Sequence, residues 1–233
     1  MPTAFPLVVA ILHSDEDDID YQLYGAAYGI EMQISGDWHA EAVLLAPHDH
    51  LDAVTKRTGV TTEEDSIVSA GVTDIPISED GVPNLAVIKH PRNNWLLVGD
   101  PRRTDTDELI AKKFRAALDA DCRIIICVTD TTKPHLNARL SGLASIDCSR
   151  IAIALVNSHA TNRDIAVNAA MSIREFVKSI DGHENPRFIV GGHVNESNAR
   201  DITAMDGVNG VILMDDKYDH WGTILGVLES IGG

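Results

Sequence analysis

The sequence predicts an α/β fold, a (β/α)8 barrel built as one domain over residues 1–233, and three observations lead there. The chain is 233 residues long, a length at which barrels and large α/β domains still fold around one core. Eight short β-branched runs bounded by Gly, Pro, Asn or Asp recur along it, and most are continuously apolar rather than alternating, as parallel strands covered by helices are. Helical stretches lie between them, which is the alternation a barrel needs.

In chain order the strand candidates are Leu7–His13, Glu41–Ala46, Ser66–Ala70, Trp95–Gly99, Arg123–Val128, Arg150–Val156, Arg187–Gly191 and Gly210–Met214. The clearest helix is Asp105–Asp119, where Leu109, Ile110, Lys113, Phe114, Ala117 and Leu118 fall at helical spacing; Asp164–Ile180 is the next. Asp and Thr residues before each are the expected N-caps. A doubly wound open sheet is the alternative. No GxGxxG turn follows the first run, and the HSDEDDID stretch there is acidic where a phosphate cradle is neutral or basic, which argues against a dinucleotide-binding version.

Composition narrows the function classes. A 44% hydrophobic and 23% charged chain is globular rather than disordered. Its longest apolar runs, RIIICV and RIAIALV, are far short of a membrane span, and the first residues lack a cationic leader. Three cysteines, Cys122, Cys127 and Cys148, form no CxxC pair. The expectation is a cytoplasmic protein without a disulfide framework or a membrane partner. The net charge is −16, a field that repels phosphate backbones, so no nucleic acid partner is expected. Asp outnumbers Glu by 24 to 11 and only 7 of 19 basic residues are Lys, leaving open whether the acidity reflects a high-salt setting or simple solubility.

The string NWLLVGDPRRTDTDELIAKKFRAALDADCRIIICVTDTT (Asn94–Thr132) closely resembles the fourth strand, fourth helix and fifth strand of triosephosphate isomerase, with its GHSERR turn, ETDELVAKK helix and ILCVGE strand. RFIVGGHVNESNARDITAMDGVNGVIL (Arg187–Leu213) resembles that family's seventh strand, GGSVN turn and eighth strand. EAVLLAPHDHLDAV resembles its second strand and APPFTYLD continuation. About half the chain is covered, in order, and the resemblance implies a TIM barrel.

The family's chemistry uses a glutamate base, a neutral histidine electrophile and a lid that excludes water, with a lysine after the first strand and a Gly-Gly pair at the phosphate. Carried over by position, these elements are absent. The histidine falls on Asp100, in a turn one residue shorter, and a carboxylate cannot donate to an oxyanion. The glutamate falls on Ala154 and the proline after it on Leu155. The lid shrinks to NSHATN (Asn157–Asn162). The asparagine and lysine fall on Ile11 and His13, and the Gly-Gly pair on Met214 and Asp215, with Asp216 next. The resemblance therefore implies a family member that is not an isomerase. Any ligand-binding role would fall to Gly191, Gly192, His193, Met214 and Asp215, and the mouth is expected to reject phosphate esters and favour a cation.

No cofactor is expected, and a divalent metal is the alternative. His13, Asp100, His193 and Asp215 are the central metal candidates at the predicted strand ends, with His48, Asp49, His50, Asp130, His159 and Asp216 also there. The competing reading is that polar loops at a barrel mouth carry such residues as a matter of course. Cys127 lies in an apolar run and reads as a buried, inert thiol. Arg102 and Arg103 read as structural, paired with nearby acids. The family is typically dimeric through the loop after the third strand, here Gly71–Asn84, where Ile75, Pro76 and Ile77 are expected at an exposed tip, so a homodimer is expected. Three classes stay open: a non-catalytic binding or interaction protein, an enzyme of different chemistry, and an isomerase with substituted residues. The small-molecule or protein ligand is unnamed.

Overall fold

In a computed structural model of the chain, eight parallel strands close into a ring in sequence order. The structure describes residues 5–11, 40–51, 68–88, 95–140, 143, 148–180, 186–214 and 221–232. The strands are β1 (Leu7–Ile11), β2 (Glu41–Ala46), β3 (Val68–Val72), β4 (Trp95–Val98), β5 (Arg123–Val128), β6 (Ile151–Val156), β7 (Arg187–Gly191) and β8 (Gly210–Leu213). The helices are α1 (Asp107–Asp119), α2 (Lys133–Leu140), α3 (Arg163–Ser179), α4 (Ala199–Thr203) and α5 (Trp221–Gly232). Pairing of Leu7 with both Glu41 and Gly210 closes the ring. This is the (β/α)8 barrel the apolar runs predict.

The continuous apolar character of the strands has a direct cause: both faces are buried. One strand face, including Val8, Leu44, Leu96, Ile126 and Val211, joins Ile110, Phe114, Ile173 and Leu228 of the helices in an outer layer. The other face contributes Leu7, Val9, Val43, Leu45, Trp95, Leu97, Ile125, Cys127, Ala152, Ala154, Ile189 and Ile212 to a cluster without helix residues, the barrel interior. Filling that space with side chains makes it a packed core rather than a channel. At about 25 cal/mol per Å² of apolar surface, these two layers supply the main favourable contribution to folding.

Three expectations need correction. The third strand runs to Val72, two residues past the predicted end at Ala70, because its ladder with β2 continues until Val72 lies opposite Ala46; the predicted start at Ser66 lies outside the described residues. α1 starts at Asp107, two residues inside the predicted stretch, and is capped there by Thr106, which accepts from the Leu109 amide at 3.3 Å; α3 is capped by Asn162, whose Oδ1 accepts from the Asp164 and Ile165 amides. Ile75, expected at an exposed tip, is 0% exposed and packs in the outer layer. The protruding part starts two residues later, in a tight hairpin bridged at Ile77 and Pro83, with the Ser78 amide donating to Val82 and the Gly81 amide to Ser78. Its apolar surface is that of Ile77 and Val82. Among the described residues, no helix is long and apolar enough to cross a membrane.

Candidate functional site

In a barrel the strand C-termini face one mouth, and function gathers there. The turn after β4 shows how the sequence builds this one. Gly99 adopts φ +78°, and a Cβ there would press on the Cys127 carbonyl and on Ile110, so glycine is required. Asp100 and Pro101 then supply the favoured first two residues of a β-turn, closed by the Arg103 amide donating to the Asp100 carbonyl at 3.0 Å. The tight turn folds Arg102 back onto Asp100. Its backbone amide donates to Oδ1 at 3.0 Å, Nε to Oδ1 at 2.9 Å and Nη2 to Oδ2 at 2.7 Å. Arg102 Nη1 also donates to the Met214 carbonyl, just past β8, at 3.0 Å.

This fork decides the charge of Asp100. The residue is 6% exposed, and burial alone would raise its carboxyl, but the hydrogen bonds and charge of Arg102, with Arg103 adding to them, outweigh burial and hold it below its ordinary value. Asp100 is thus a carboxylate already neutralised by a partner. The negative field expected from it is cancelled locally, and both oxygens are engaged.

A second ionic network fixes the rim. Lys113, on the apolar face of α1 and 1% exposed, donates to Asp74 Oδ1 and Asp105 Oδ2, each at 2.6 Å. Arg103 reaches the other oxygen of Asp74 at 3.0 Å. The loops after β3 and β4 are therefore clamped to α1 by buried charge. Beside them, Arg139 of α2 donates to Asp107 at 2.9 Å and to the Cys127 carbonyl at 2.8 Å. Arg102 and Arg103 pair with acids as the sequence predicts. Lys113 was legible only as a member of an apolar helical stripe, and its two partners carried no local signal.

The remaining site residues fall as follows. Ala154 is 0% exposed and belongs to the interior cluster, and Leu155 faces the outer layer. Asn157 ties the start of the short segment after β6 to the loop after β5, donating to the Thr129 carbonyl at 3.1 Å, and its Oδ1 accepts from the His159 amide. Gly191 packs against Ile212, and Gly192, at φ +108°, lies so near the Asn157 carbonyl that a Cβ would come within 2.5 Å of it. Gly191 and Gly192 thus have a packing role of their own. His193 is exposed while Met214 is 6% exposed. Ile11 is buried in the interior. His13, Asp215 and Asp216 lie outside the described residues.

The metal candidates are not drawn together where they can be seen. Asp100 is held by Arg102, Asp130 accepts from Thr132 through both oxygens, and His48 and Asp49 are exposed, with His50 3.9 Å from Asp49. Among the described residues, no group of three His, Cys, Asp or Glu could hold a metal ion. Cys127 is fully buried, and burial, with the charge of Asp100 as a lesser cause, pushes its thiol far above the ordinary range. That matches an inert thiol.

The mouth can be set beside known proteins. The family model described as triosephosphate isomerase matches residues 94–215, just over half of the chain. Among curated relatives, the triosephosphate isomerase of Emericella nidulans is 23% identical over 180 residues, 66% of this chain and 72% of that protein. That of Aspergillus oryzae is 26% identical over 144 residues, 51% of this chain and 57% of its own. That of Endomicrobium trichonymphae is 25% identical over 154 residues, 56% and 62% respectively. The latter two matches thus span less than two thirds of the relatives' length. With a closed eight-stranded ring and the matched turn, helix and strand of its central part, the chain belongs to the triosephosphate isomerase family.

Proposed function

We propose that this family member is not an isomerase and serves a binding or interaction role. The observation that carries the reading is the state of Asp100, at the position where the resemblance puts the catalytic histidine. An ionised carboxylate only accepts hydrogen bonds, and here both oxygens already accept from Arg102. It has no proton to give to a substrate carbonyl. Ala154, at the position of the glutamate base, is sealed in the apolar interior and offers no acceptor for a substrate proton. General acid–base groups contribute about 10²–10⁴-fold each, so a mouth without either supports no rapid isomerisation. Steady-state assay of the purified protein with glyceraldehyde 3-phosphate is expected to show no turnover above a buffer blank. Activity of even about a thousandth of an ordinary enzyme's rate would reject the proposal.

The same reading places the protein in the cytoplasm as a homodimer, without a cofactor. The three cysteines are buried and form no CxxC pair, in keeping with a reducing compartment. The hairpin after β3 presents Ile77 and Val82, 37% and 53% exposed, on a clamped base, which suits contact with a second copy. Light scattering at tens of micromolar is expected to give twice the chain mass, and a purely monomeric result would remove the dimer from the proposal.

A further inference from the structure

Arg102 joins opposite walls of the barrel. In a closed ring of eight strands, β4 and β8 are four places apart in either direction. Arg102 follows β4, and the Met214 carbonyl to which it donates follows β8. The two-point fork to Asp100 fixes the plane of the guanidinium, so the contact across the mouth is made by a group already held in place. Below it lies the apolar interior. The pairing of Val98 with Ile126 sets Cys127 beside the Gly99–Asp100 turn, and Cys127 packs in the interior cluster with Leu97 and Met214.

We infer that the Asp100–Arg102–Met214 bridge is a bolt: a built-in contact that ties the turn after β4 to the end of β8 and shields Cys127, in the packed layer next to it, from small molecules. It concerns the same site as the proposed loss of isomerase activity but is a separate claim, about access rather than chemistry. The bolt is made from one turn and one carbonyl, so it opens by losing a single side chain while the strands remain paired. Cys127 then becomes a reporter of the mouth. Cys122 and Cys148, buried in the outer layer, report loosening elsewhere.

The test is alkylation by a small neutral reagent such as iodoacetamide, with each of the three cysteines followed separately by peptide mass spectrometry in the native protein. In the wild type, Cys127 is expected to react no faster than the other two. In Arg102→Ala, Cys127 is expected to react at least about tenfold faster, with Cys122 and Cys148 unchanged within about twofold. Loss of the nearby cation disfavours the Cys127 thiolate, so faster labelling in this variant reports access and not a more reactive sulfur. Should Arg102→Ala fail to fold, Asp100→Asn, which keeps the side-chain shape and breaks the charged fork, is read by the same criteria. An unchanged Cys127 rate, or a rise shared by all three cysteines, would overturn the bolt. Isomerase turnover by the wild type would overturn the functional reading and leave the labelling result standing.

Discussion

Among the described residues, the two ends of the barrel are each stoppered by arginine, and they differ in where the stoppers come from. At the floor, Arg187 opens β7 and pairs with Glu41, which opens β2, while Arg123 opens β5 and lies over the Trp95 ring that opens β4, 5.8 Å from its centroid. All four occupy strand positions of the same alternation as the interior cluster. At the mouth the stopper is Arg102, carried by a turn and held by Asp100. The floor pair is partly wet on both sides, at 23% and 18% exposure, whereas Asp100 at the mouth keeps only 5%. A floor closed this way is ordinary architecture. The same device at the mouth occupies the end where a barrel enzyme has to admit its substrate.

That contrast can be broken by substitution, beginning at the rim. Lys113→Ala leaves Asp74 with only Arg103 and Asp105 without its buried ammonium, and is expected to destabilise by about 3–5 kcal/mol in denaturant unfolding, as removal of one partner from a buried pair does. Arg102→Ala at the mouth is expected to destabilise by about 2–3 kcal/mol, less because the guanidinium itself is 30% exposed. The double variant Asp100→Ala with Arg102→Ala is expected to recover part of that loss, since no unpaired charge is left behind. Arg187→Ala at the floor is expected to be the mildest, about 1 kcal/mol, and to shrink in high salt. A floor variant as damaging as the mouth variant would erase the distinction between the two ends.

Acid reads the charged state of Asp100 at the mouth. The folded Asp100 carboxyl lies below its ordinary value of 3.8, so the stabilisation it provides is complete above that value and is lost as pH falls through the lower folded value. The stability difference between wild type and Asp100→Asn is therefore expected to be flat from about pH 8 to 5 and to decline only below about pH 4. A decline already evident between pH 7 and 5 would show that Asp100 is not held as its geometry implies.

Legibility in the sequence followed the range of the interaction. The strand runs were readable because burial on both faces leaves an apolar signature in consecutive residues. A threonine cap is readable near the start of α1 because capping acts over three residues, although Thr106 lies inside the predicted Asp105–Asp119 stretch. Asn162 is not singled out by a search for Asp and Thr, although its side chain accepts equally well. The expected exposure of Ile75 failed because the sequence does not say where a loop leaves the surface; the hairpin starts at Ile77. The largest shift concerns charge. Asp100 was legible as an acid where the family has a histidine, but a residue's formal charge does not reveal its partner. One half of the answer lay two residues away in Arg102, within the readable Asp-Pro turn, and the other half was a carbonyl 112 residues on. The mouth expected to attract a cation holds one of its own.

The mouth is expected to refuse the family's substrate, and equilibrium binding reads this without requiring turnover. Calorimetric titration of the wild-type protein with glyceraldehyde 3-phosphate is expected to give only heat of dilution up to about 10 mM, whereas saturable one-to-one binding with Kd below about 1 mM would contradict the account.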